Sequence, residues 1–169
     1  MIDILARLQG GDRRSIGRSD EVVADVLAAP ELFGELFTGM TGDDPLVRMR
    51  AADAVEKITL LHPEYLQPLK SELLQEVARV RQQEVRWHVA QMLPRLELSH
   101  AERLEAMQIL SSYLADKSRI VQTFSLQAMA DLAEQDADLR QQVISILEAA
   151  AKSGSPAVKS RVKKLLRKL

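Results

Sequence analysis

With 169 residues, 46% of them hydrophobic and 28% charged, the chain is long enough to bury a core without a disulfide or a metal. It has no cysteine, which excludes disulfides, thiolate nucleophiles and thiolate metal sites, and 4% aromatic content argues against a strand-rich fold. The formal net charge of -1 hides an asymmetry: residues 152–169 carry seven Lys and Arg and no acid, leaving -8 on the remainder.

The N-terminal stretch MIDILARLQGGDRR lacks the basic start, apolar core and small-residue cleavage site of a secretory signal, and no run of about 18 apolar residues follows anywhere. A cytoplasmic protein without membrane insertion is expected. Residues 1–19 form a separate segment, with a short helix from Ile2 to Leu8 and then a loop, GGDRRSIGRSDE (10–21), containing three glycines and three arginines. Such a loop entering a helix invites a phosphate-cradle reading. Asp20 and Glu21, however, already occupy the positive helix end, where they repel an anion, and P-loop or dinucleotide spacing is absent. The expectation is a flexible connector.

Helices are predicted over Glu21 to Ala28 and Glu31 to about Met40, separated by Pro30 and closed by Gly42. From there the chain repeats itself. Val47, Val85, Val121 and Val158 lie 38, 36 and 37 residues apart, the period of a solenoid built from helix pairs. Each valine is followed by Arg48, Arg86, Gln122 or Lys159, and four residues on by Ala51, Val89, Ser125 or Val162. Offsets seven and eight hold Ala54 and Val55, Met92 and Leu93, Ala128 and Met129, and Leu165 and Leu166. Offsets 0, 4, 7 and 8 trace one stripe on a helix, and its small residues let neighbouring helices approach closely.

Helix starts agree with this period. Asp44, Ser118 and Ser155 each precede their valine by three residues as N-caps, Pro45 and Pro156 suit the first turn, and the second repeat departs by placing Gln82 at the cap. Partner helices are expected over Pro63 to about Ala78, His100 to about Leu114 and Asp136 to about Lys152, with Ser99 and Glu102 forming a capping box.

From Asp44 to Val55, the run DPLVRMRAADAV closely resembles the second helix of a HEAT repeat, with an acidic turn residue, Val-Arg and spaced alanines. EVRWHVAQML (84–93) resembles it well and RIVQTFSLQAM (119–129) less so, while the last copy keeps Val158 and Lys159 without the alanines. The resemblance spans about residues 20–169. It implies an all-α, right-handed α-solenoid of about four helix pairs, near 20–60, 61–97, 98–135 and 136–169. By that similarity Arg48 and Arg86 hydrogen-bond between adjacent repeats, with ligand contact as the alternative role. Because HEAT repeats are scaffolds in many systems, the likeness specifies architecture far more than activity.

If the valine stripe is buried, offsets 2, 3, 6 and 10 face the opposite, concave side. That wall comprises Met49, Arg50, Asp53 and Lys57; Trp87, His88, Gln91 and Arg95; Thr123, Phe124, Gln127 and Asp131; and Ser160, Arg161, Lys164 and Lys168. Large side chains on a face expected to be polar are what binding hot spots look like. Met49, Arg50, Asp53, Trp87, His88, Gln91, Arg95, Phe124, Gln127, Arg161 and Lys164 are therefore the expected partner-binding residues. Packing over a loop, or into a gap beside Pro94, is the competing account of Trp87.

The expected function is a non-enzymatic scaffold that binds a protein or peptide along this wall, without cofactor or metal. His62, His88 and His100 lie on different elements without ligand spacing, and no serine-nucleophile motif occurs. Two alternatives stay open. The basic C-terminus either solubilises the end of the solenoid or binds an anion such as nucleic acid. A looser likeness to HEAT-like DNA alkylation-repair glycosylases rests on Trp87, Asp53, Arg50 and Arg95, without signature spacing.

Overall fold

A computed structural model describes residues 3–169, and every regular element among them is helical. The chain divides into two compact units, Met1–Leu96 and Glu97–Leu169. The expected segment from Ile2 to Leu8 begins outside the described residues; within them Ala6–Leu8 makes a single 3-10 turn.

In the first unit, α1 (Ser19–Ala28) and α2 (Phe33–Thr38) pack against the long α3 (Pro45–Leu61), which in turn packs against α5 (Gln83–Met92). Between α3 and α5 the sequence predicts one helix over 63–78. The structure instead has 3-10 turns at Pro63–Tyr65, Gln67–Leu69 and Val77–Arg79 around a short α4 (Lys70–Gln75). The cause is chemical. Pro63 and Pro68 supply no amide hydrogen, and each serves as the first-turn residue of its own short turn rather than as the interior of a longer helix.

In the second unit, α6 (His100–Tyr113) packs on α7 (Arg119–Gln135), which contacts α8 (Arg140–Ser153) and α9 (Pro156–Leu166), and α8 packs on α9. Caps occur where sequence chemistry puts them. Asp44 accepts from the Leu46 amide, Ser118 from Val121 and Ser155 from Val158, while Ser99 and Glu102 close the reciprocal capping box.

The repeated valines are all interior: Val47, Val85, Val121 and Val158 are at most 6% exposed. Ala51, Ala54 and Ala128 on the same stripe are likewise buried. Their small size is used. A Cβ added at Gly39 would lie 3.0 Å from the Ala51 Cβ and 2.7 Å from Leu5 Cδ2, so the backbone before α3 already sits as close as two side-chain-poor positions allow.

Gln82 explains why the second repeat lacks a usual cap. Its side chain makes no capping bond to α5; it donates to the Pro45 carbonyl (2.8 Å) and accepts from Arg48 Nε (2.8 Å), joining the starts of α3 and α5. Arg48 also donates to the carbonyls of Gly42 and Asp43. The bridge expected of Arg48 is thus present. Arg86 donates to the Val80 carbonyl in the approach to its own helix.

Candidate functional site: a cleft beneath the N-terminal loop

The prospective wall residues of α3 and α5 occur at spacings of three and four, which brings them onto one face of each helix. Met49, Arg50 and Asp53 project from α3, and Glu84, Trp87 and His88 from α5. The loop preceding α1 crosses this face, and Arg13, Arg14, Ser15 and Ile16 complete a cleft of about 410 Å³. A smaller depression of about 200 Å³ continues past Arg13, Met49 and Glu84 to Pro45, Leu46 and Gln82.

Arg50 holds the loop in place. This side chain, expected on a solvated wall, is 2% exposed. Its Nη1 donates to the carbonyls of Leu8 (2.7 Å) and Gly10 (2.6 Å), its Nε to Ser15 (3.2 Å) and its Nη2 to Asp12 (3.1 Å). Four carbonyl dipoles thus replace water around a desolvated guanidinium. Gly10, Gly11 and Gly17 take positive φ values of 73°, 84° and 56°, which lets the loop curl around the planar group. Gly17 has a second reason to be glycine, since a Cβ there would meet Arg50 Cζ at 2.6 Å. The segment expected to be a flexible connector is therefore a shaped, bonded loop, because its backbone oxygens serve as the ligands of a buried charge.

Asp53 is also engaged. Its Oδ2 accepts from Ser19 Oγ (2.6 Å) and Lys57 Nζ (2.8 Å), and Lys57 reaches Asp20 as well (2.7 Å). Burial lowers the Lys57 pKa, but the hydrogen bonds to Asp20 and Asp53 outweigh it and hold the ammonium above its ordinary range. Burial pushes the His88 imidazole below its ordinary value, leaving it neutral at pH 7. His88 Nδ1 lies 3.4 Å from Gln91 Nε2, and its ring meets Trp87 edge-on at 5.7 Å. Trp87 is half-buried and lines the cleft, as does Met49. Arg13 has no hydrogen-bond or ion-pair partner among the described residues.

Arg95 leaves the wall altogether. It donates to the Glu56 carbonyl (2.8 Å) and Thr59 Oγ1 (2.9 Å) and pairs with the Glu56 carboxylate, tying the end of α5 to α3.

In the second unit, Phe124 is half-buried on α7. Gln127 accepts from Arg161 Nη1 (2.8 Å) and donates to Asp131 (2.9 Å), linking α7 to α9. Lys168 pairs with Glu134 (2.8 Å) and Asp131 (3.8 Å), which absorb part of the tail's charge, while Asp136 is taken by His100 and Arg103. Lys164 is exposed.

A family model for the HEAT repeat domain matches residues 8–169. The chain belongs to the HEAT repeat family. No curated protein and no solved structure matches it. The HEAT assignment accounts for the buried valine stripe and the Arg48 bridge, and its match begins at Leu8, so it takes in the loop around Arg50. Sequence reasoning missed Arg13, Arg14, Ser15, Ile16 and Glu84 as cleft residues. The available signal was the three glycines, two of which flank the stretch that covers Trp87.

Proposed function

We propose that this HEAT-repeat chain is a non-enzymatic scaffold and that an extended segment of a protein partner lies in the cleft formed by α3, α5 and the N-terminal loop. The carrying observation is the juxtaposition of Met49, Trp87 and Ile16 beside the unpartnered Arg13. Ile16 is 42% exposed, and such apolar surface at the mouth of a cleft is stabilised by covering it. The smaller depression past Arg13 extends the trough along the starts of both helices and suits a peptide rather than a compact metabolite. Phe124, Gln127, Arg161 and Lys164 form a second candidate contact face on α7 and α9.

Site-specific photocrosslinking tests the cleft. A photoreactive residue at position 16 is expected to capture a discrete partner, with yield reduced about tenfold or more by Trp87→Ala, the loss expected of a central aromatic anchor. The same probe at Leu60, also exposed, supplies the control. Equal yields from both positions, or indifference to Trp87→Ala at unchanged thermal stability, would remove the cleft as the binding site.

A second reading is favoured by one observation. Lys152, Lys159, Lys163, Lys164 and Arg167 are exposed and have no ion-pair partner among the described residues. A nucleic acid held by this surface would bind with a steep salt dependence and lose affinity in Lys163→Glu/Lys164→Glu. Titration of generic duplex DNA at low ionic strength decides it, and no binding there ends this reading. The glycosylase-like reading draws less support, because Arg50, Asp53 and Arg95 all have internal partners.

A further inference from the structure

We propose that residues 9–18 are a strap that opens and closes over the Trp87 cleft, with Arg50 as its latch, and so regulates access to the site proposed above, on which this inference rests. The ends are fixed. Leu8 is fully buried, and so is Ser19, whose hydroxyl bonds Asp53. Between them every residue is exposed, so no apolar side chain anchors the middle of the loop. What closes it is polar: the bonds from one guanidinium to the carbonyls of Gly10, Asp12 and Ser15, with the Leu8 carbonyl bonded at the fixed end.

That arrangement has the makings of a two-state element. Opening of residues 9–15 requires no rearrangement of α1, α3 or α5; Ile16 and Arg18 stay tied to the start of α1, through the Ser19 amide and through Val22 and Glu21, and act as the hinge. Water can take over the carbonyls once the strap lifts. The guanidinium would then face the cleft with donors released, and the strap's Ser15 and Arg13 would no longer line it. A segment with few buried apolar contacts, held by a handful of hydrogen bonds to one side chain, is the kind that opens locally, well below the free energy of global unfolding. Three positive-φ glycines also raise the number of conformations available to the released loop.

The test uses two readouts that need no partner. Arg13 and Arg14 are exposed within the strap, so trypsin reports its opening; Trp87 is the sole tryptophan, so acrylamide quenching of its fluorescence reports access to the cleft. Gly17→Ala attacks the latch from the loop side through the 2.6 Å encounter with Arg50 Cζ and the positive φ. Arg50→Met attacks it from the helix side. In native full-length protein, cleavage after Arg13 and Arg14 is expected to accelerate about tenfold or more in Gly17→Ala, with a parallel rise in quenching and little change in the thermal midpoint. Arg50→Lys, with fewer donors, is expected to fall between parent and Arg50→Met.

Cleavage in the parent as fast as in a free peptide of residues 9–18 would show that no latch exists. Accelerated cleavage in Gly17→Ala without increased quenching would show that the strap does not gate the cleft. Should Arg50→Met fail to fold, Gly17→Ala together with hydrogen exchange of the unmodified chain still decides the matter: exchange of the strap amides only through global unfolding overturns the proposal. None of these results depends on photocrosslinking, so failure of the strap and failure of the cleft as a binding site are separately visible.

Discussion

Val85→Asp is expected to leave the first unit unfolded at 25 °C. Val85 is fully buried on α5, the helix that packs against α3. A carboxylate placed there has no cation designed to meet it, and the effective penalty for burying an unpaired charge is several kcal/mol. That rivals the whole stability of a typical domain, about 5–15 kcal/mol. Val85→Ala is the graded control: it removes two methyl groups and should cost about 2 kcal/mol, combining lost transfer energy with a small cavity. Trp87 sits two residues away, so urea denaturation followed by its fluorescence measures both variants. A native-like midpoint for Val85→Asp would mean that the repeated valine does not sit in a closed interior.

Arg95→Ala is expected to destabilise the first unit by about 3–4 kcal/mol, the lower part of the range for breaking a buried ion pair because both partners retain slight exposure. The loss has three parts. Glu56, 13% exposed, would keep a carboxylate without its cation; Thr59, fully buried, would lose the donor to its hydroxyl; and the end of α5 would lose its tie to the Glu56 carbonyl. Glu56→Gln should be milder, since Arg95 keeps two neutral acceptors. A double-mutant cycle by urea denaturation should give a coupling above about 1 kcal/mol, as expected for residues in direct contact. Additive effects of the two substitutions would place the pair outside the load path between α3 and α5.

The helix starts were legible because capping is local: Asp44, Ser99, Ser118 and Ser155 need only the next three residues to do their work. The buried stripe was legible because a period near 37 residues repeats an interior environment, and four valines at 6% exposure or less occupy it. The face opposite was only partly legible. Helical spacing puts Arg50 and Trp87 on one side of their helices, but it says nothing about a distant loop arriving to cover them. Arg50 looked like a free cation because its acceptors are backbone carbonyls, which any residue supplies and no side-chain pattern advertises. Arg95 is similar: two of its three acceptors, the Glu56 carbonyl and the Thr59 hydroxyl, carry no charge signal at their 36- and 39-residue separations. The stretch at 63–78 reads as one helix because apolar periodicity persists there while two prolines interrupt the amide ladder.

Gln82 gives up the capping of its own helix to bond Pro45 and Arg48. The first turn of α5 is consequently anchored by a neighbour 34 to 37 residues earlier instead of by its own flanking side chain. A nascent α5 would gain little from forming alone, and α3 must already be in register before that anchor exists. Order of assembly is thereby written into one amide side chain: α3 templates α5, and melting the start of α3 should release both together instead of fraying them in succession.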